Sequence, residues 1–105
     1  MDEQFSIFDY LPEPDYPKDL ETLPEAEMVS IVSMATGLNF VYDGFLDRYS
    51  AKKGDKKYSL KYSRYNLEGK KDRFISVGYD CGGYGQHEPA DSIEEAVNFF
   101  KNRSK

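Results

Sequence analysis

Asp80, Cys81, His87 and Glu88 are the residues of this chain whose side chains could do chemistry at close spacing. Thiolate, imidazole and carboxylate all ligate zinc, and a thiol beside an imidazole base can act as a nucleophile. Both readings need more than the sequence supplies. Cys81 is the single cysteine and His87 the single histidine, and no CxxC or HxxxH pattern completes a metal set. The two stand apart in a glycine-rich run, CGGYGQH, which fixes no geometry between them. A thiol at a strand end and a half-exposed histidine account for both. Gly82, Gly83 and Gly85 do not make a dinucleotide fingerprint, which requires G-x-G-x-x-G opening a helix after a parallel strand. They are expected to allow positive φ in a tight connection. No catalytic residue, metal site or cofactor is assigned, and the chain is read as a non-enzyme.

A second group could bind. Nine tyrosines and no tryptophan are present. Aromatic rings interleaved with bases can stack nucleobases or receive an acidic partner. Lys57, Tyr58, Lys61, Tyr62, Arg64 and Tyr65 form such a run, with Tyr49 and Tyr84 as further candidates. The competing use of the tyrosines is packing, with rings buried and hydroxyls at the rim.

These residues must be placed by secondary structure. Thr22 and Glu25 have capping-box spacing, Pro24 suits a first turn, and Met28, Ile31, Val32 and Ala35 recur at helical period up to Gly37. A first strand is expected around Phe40, Tyr42, Phe45 and Leu46, interrupted near Asp43-Gly44. In the second, Lys57 to Tyr65, alternation sets Tyr58, Leu60 and Tyr62 on one side and Lys57, Ser59, Lys61 and Ser63 on the other. Asn66 to Lys71 supplies a turn into a third strand, in which Ile75, Val77 and Tyr79 face the core. CGGYGQHEP reads as a loop. Ser92 and Glu95 then cap a last helix with Ile93, Ala96, Val97 and Phe100 as its buried stripe. The expected fold is α+β, in the order α-β-β-β-α, a three-stranded antiparallel sheet covered on one face by two helices. Double-stranded-RNA-binding domains share that order, but Asp91, Glu94 and Glu95 at the start of the last helix would repel phosphates.

The chain has 105 residues, 39% of them hydrophobic and 31% charged, which suits one small globular domain. No apolar stretch is long enough to cross a bilayer, and neither a signal segment nor a disulfide pair is present. The expected location is the cytoplasm, away from membranes. The net charge of -5 argues against general nucleic-acid binding. That average hides a polarity: residues 1–50 carry eleven acids against Lys18 and Arg48, whereas residues 51–74 carry nine bases against Asp55, Glu68 and Asp72.

Residues 1–21, where acids alternate with prolines, read as an extended acidic and apolar tail ahead of a domain over 22–105. Within the tail Gln4, Phe5, Ser6, Ile7 and Phe8 resemble the short peptide by which bacterial replication and repair proteins dock on the sliding clamp. Gln4, Ser6, Ile7 and Phe8 match that pattern, and Phe5 stands where a leucine is usual. The physical logic is an extended segment sinking apolar anchors into a preformed groove. SIFDYLPEP, LETLPEAE and DSIEEAVNFF also resemble a family of small acidic proteins from conjugative and other mobile elements of Gram-positive bacteria. That resemblance implies a cytoplasmic accessory protein and supplies no catalytic residue to carry over.

Three functions follow as expectations. The leading one is an interaction module that docks on a host replication or defence protein, such as the sliding clamp, with Gln4, Phe5, Ile7 and Phe8 as anchors. The second is an inhibitor mimicking nucleic acid, with Asp9, Glu13, Asp15, Asp19, Glu21, Glu25 and Glu27 presenting charge to a restriction or CRISPR nuclease. The third is a domain whose tyrosine and lysine surface binds single-stranded nucleic acid.

Overall fold

A computed structural model describes residues 16–65 and 72–104. The expected tail anchors and the expected turn over 66–71 lie outside the described residues. The fold is α+β, with two helices and one antiparallel sheet. The order is α1 (Glu25–Thr36), β1 (Val41–Asp43), β2 (Arg48–Lys53), β3 (Lys56–Arg64), β4 (Arg73–Cys81), β5 (Tyr84–Ala90) and α2 (Ile93–Arg103). The sheet has five strands rather than the expected three, in the spatial order β1-β2-β3-β4-β5.

The two additional strands come from segments that carry little apolar signal. Strand β2, RYSAKK, buries Ala51 alone. Lys53 and Lys56 pair across a two-residue turn, Gly54-Asp55, in which Gly54 has φ 66°. Glycine with positive φ at the first central position is the requirement of a type II′ hairpin. Strand β5, YGQHEPA, replaces the expected loop and buries only Ala90. It enters through Gly82 and Gly83, whose φ values of 57° and 88° suit a type I′ turn between Cys81 and Tyr84. The expected first strand is shorter than its apolar residues suggested. Phe45 is 95% exposed in the turn after β1, where Asp43 Oδ1 accepts from the Phe45 amide at 3.0 Å.

The core joins both helices to the central strands. Met28 and Val32 of α1, and Ile93, Val97 and Phe100 of α2, pack with Tyr58 and Leu60 of β3 and Ile75 and Val77 of β4. Leu60 pairs directly with Val77 and Tyr58 with Tyr79, so one face of the sheet is continuously apolar at its centre. Leu20, which the sequence assigns to the tail, is 4% exposed, and its carbonyl accepts from Arg73 Nη1 at 3.0 Å. Tyr16 packs against the same core.

The helix ends differ in kind. At α2 the Ser92 hydroxyl accepts from the Glu95 amide at 3.1 Å, while the Glu95 carboxylate accepts from the Asp91 amide at 3.1 Å. This is the reciprocal cap expected from the spacing, reaching back one residue further. At α1 the expected box is absent, and Pro24 occupies the cap with no side-chain bond. Glu25 instead accepts the Tyr62 amide at 2.8 Å. That amide lies past the end of the β2–β3 ladder, which stops at Tyr49 opposite Leu60, so the carboxylate replaces a missing strand partner. Gly37, at φ 77°, ends α1 and donates to the Ser33 carbonyl at 2.8 Å. Lys53 and Tyr58 donate to the Ser104 and Arg103 carbonyls at 2.8 and 3.2 Å, closing the other end of α2 against the sheet.

Candidate functional site

Strand alternation separates the residues that the sequence grouped by chemistry. Cys81 lies on the core side of β4 with Ile75, Val77 and Tyr79, whereas His87, opposite Gly78, lies on the other side. The thiol and imidazole therefore stand on opposite faces of one hairpin and form no dyad. His87 keeps a carboxylate neighbour, with Nε2 3.8 Å from Asp80 Oδ1. Among the described residues no group of three or more His, Cys, Asp and Glu side chains could hold a metal ion.

The basic and aromatic run divides in the same way. Tyr58 and Tyr62 point to the core side, where Tyr62 donates to the Leu23 carbonyl at 2.8 Å. Burial pushes both phenols above their ordinary pKa, because the buried site disfavours the phenolate. Arg64 pairs with Glu21 at 3.5 Å and lies 3.8 Å from Asp72. Tyr65 donates to Asp91 at 2.7 Å and stacks on Phe74, with ring centroids 4.4 Å apart. Tyr49 packs edge-on against Tyr42 at 5.3 Å, and Tyr84 is exposed beside the β4–β5 turn. Of the six residues, Lys57 and Lys61 share the face opposite the core, and Tyr65, past the end of β3, rests on Phe74 of that same face.

That face carries a pattern that needs β2, a strand the sequence did not announce. The register sets Ser50 opposite Ser59 and Lys52 opposite Lys57. One step beyond Tyr49 and Leu60, Arg48 and Lys61 fall on the same face. Four cations therefore surround two serines. Ser50, Ser59, Arg48, Lys52 and Lys57 line a groove of about 340 Å³, with Asp43 and Leu46 at one end and Asp80 at the other. Among the described residues no carboxylate lies within ion-pair distance of Arg48, Lys52, Lys57 or Lys61. The Nε of Arg48 is buried with no hydrogen-bond partner.

Two glycines shape the neighbouring strands. The space that a side chain on Gly78 would need is filled by the Ser59 hydroxyl and the His87 ring. A Cβ on Gly85 would lie 2.6 Å from Asp80 Oδ1, so the carboxylate rests over β5. Lys57 and Asp80 pair in register, yet Asp80 leans toward His87 and makes no ion pair with Lys57.

A second cleft, of about 460 Å³, gathers Tyr42, Tyr49, Tyr62, Arg48, Lys61 and Arg73. Much of its polar lining is already committed. Tyr42 donates to Asp47 at 2.7 Å, Arg73 lies 4.6 Å over the Tyr62 ring, and Glu25 holds the Tyr62 amide. The acidic run is partly committed as well, since Glu21 serves Arg64 and Glu25 serves Tyr62. The groove on β2 and β3 is the site whose cations are left to meet something else. Compared with known proteins, the chain matches no family model, no curated protein and no solved structure.

Proposed function

We propose that the protein is a non-enzymatic interaction module that binds an acidic protein partner through the open face of β2 and β3. The observation that carries this reading is the set of four cations, Arg48, Lys52, Lys57 and Lys61, around Ser50 and Ser59, none of which makes an ion pair among the described residues although Asp43 and Asp80 flank them. A net charge of -5 with one cationic face makes the molecule strongly dipolar, which orients an acidic partner before contact. Tyr58 is the aromatic residue that lines the groove, and its ring is packed in the core, so base stacking has little to work with there.

The test is a titration of the full chain with a decaglutamate peptide. Binding should weaken as salt rises from about 0.01 M to about 0.15 M, where the screening length falls from about 30 Å to about 8 Å. Replacing Lys52, Lys57 and Lys61 together by glutamine should weaken it at least about tenfold. Equal affinity for the triple variant and the parent would overturn the proposal.

The N-terminal anchors belong to the same reading as a second contact. Gln4, Phe5, Ile7 and Phe8 resemble a clamp-docking peptide, and Phe8 supplies its largest apolar anchor. A Met1–Tyr16 peptide should bind a bacterial sliding clamp, and Phe8→Ala should weaken it by roughly ten- to hundredfold. Calorimetry that finds no heat with the parent peptide would remove the clamp from the list of partners.

A further inference from the structure

We infer that the groove on β2 and β3 reads a phosphorylated side chain on the partner. This inference rests on the acidic-partner reading above and names the group recognised. It starts from the two rows of the ladder. Ser50 and Ser59 are directly opposed, and so are Lys52 and Lys57. Directly opposed residues have Cβ atoms about 4.5–5.5 Å apart. The rows are two residues apart, or about 6.7 Å along the strands. Lysine side chains reach back across that interval, so two ammonium groups and the Ser50 hydroxyl can converge on one small anion, with the Ser59 hydroxyl, which lies over Gly78, reaching it by a rotation about its side-chain bond.

Charge and donor number favour phosphate over carboxylate. Two like charges directly opposed on a sheet are mutually destabilising. A carboxylate offsets one of them. A phosphate monoester carries about -1.5 to -2 charges and three strong acceptor oxygens, enough for both lysines and both hydroxyls. Arg48 stands at the far side of the serines and lines the same groove, so its guanidinium adds planar donors.

The acids around the groove are arranged compatibly. Asp80 is the carboxylate in register with Lys57, and it is drawn aside over Gly85 toward His87. Asp43 closes the opposite end, directly across the β1–β2 ladder from Arg48. The volume of about 340 Å³ exceeds that of a phosphate alone, and Leu46 gives the end an apolar wall. A phosphoserine or phosphothreonine within a chain would fill such a space, with the residue beside it resting on Leu46.

The experiment is an NMR titration of the full chain with three probes: an acetylated Gly-phosphoserine-Gly peptide, its glutamate counterpart, and adenosine monophosphate. The phosphopeptide should shift the amides of Ser50, Lys52, Lys57 and Ser59 and should bind most tightly. The Ser50→Ala, Ser59→Ala double variant should lose about tenfold or more for the phosphopeptide, since bonds to charged groups are removed, and stay within about twofold for decaglutamate. Lys52→Gln with Lys57→Gln, at two exposed positions, should weaken both ligands. Equal affinity for phosphopeptide and glutamate counterpart, or indifference to the serine substitutions, would overturn the phosphate inference while leaving the acidic-partner proposal standing. Tighter binding of the nucleotide would overturn it in favour of a nucleotide ligand. Failure of decaglutamate as well would remove both.

Discussion

Lys52 and Lys57 face one another directly across β2 and β3, on the side of the sheet opposite the core. Their repulsion is a stability cost that a folding-only sequence would avoid. Lys52→Glu should turn the pair into an attraction and stabilise the protein by about 0.2–1 kcal/mol. That corresponds to a melting temperature higher by roughly 1–8 °C. The same substitution should weaken decaglutamate binding several-fold. A variant that is no more stable, or that binds as before, would show that the pair has no such dual role.

Gly78 is held to glycine by its neighbours. Alanine there would collide with the Ser59 hydroxyl and the His87 ring. Gly78→Ala should destabilise by about 1–3 kcal/mol, as overpacking does. Adding His87→Ala removes one of the two obstacles and should recover part of the loss. Urea unfolding of the two single variants and the double variant measures the coupling, and purely additive effects would contradict the packing described.

The two capping-box spacings make a matched comparison. Ser92→Ala removes a cap that holds the Glu95 amide and should cost about 1 kcal/mol. Thr22→Ala removes a hydroxyl whose only described bond is a 3.4 Å contact to the exposed Asp19 carbonyl, and should change stability by less than about 0.5 kcal/mol. Thermal melts that show equal losses would mean that the spacing matters more than the geometry.

That comparison also shows how far a sequence can be read. Ser92 and Glu95 interact through neighbours along the chain, so local spacing is enough to find them. Glu25 has the same spacing from Thr22, but it is claimed by the Tyr62 amide on a distant strand, which no local pattern encodes. β3 and β4 were legible because Tyr58, Leu60, Ile75 and Val77 alternate with polar residues. β2 and β5 were hidden because each fully buries one alanine alone, and the rest of each strand is mostly polar or small. Their turn signals, Gly54-Asp55 and Gly82-Gly83, were the available clues. The basic groove was hidden with β2: Lys57 and Lys61 are visible on one strand, but Arg48, Ser50 and Lys52 join them only through the register.

The tyrosines should make the fold sensitive to alkali. Burial raises the pKa of Tyr58, Tyr62 and Tyr79, and hydrogen bonds to Asp47 and Asp91 raise those of Tyr42 and Tyr65. The fold thus favours the neutral phenol, and the unfolded chain ionises first. Stability is fully present below the ordinary value of 10.0 and is lost as pH rises through the raised folded values. Chemical denaturation should show a lower midpoint at about pH 11 than at about pH 8, with tyrosinate absorbance rising later in the folded protein. Equal midpoints would show that the phenols ionise alike in both states.

Every strand of the sheet lies beside the strand that adjoins it in sequence. Chain closure is therefore local at each step, and folding can proceed as a zipper instead of a search for distant partners. The β3–β4 ladder, with nine pairs, is the natural place for that zipper to start, and β1, with three pairs to β2, is the natural last tooth. Amide hydrogen exchange should find the slowest protons at the centre of β3 and β4 and the fastest strand protons in β1, and the reverse order would exclude this route. The anion groove sits between these extremes. It is built on one side from the strand expected to order first, and on the other from β2, which joins it through the Gly54-Asp55 hairpin, so recognition and the completion of folding share the same few residues.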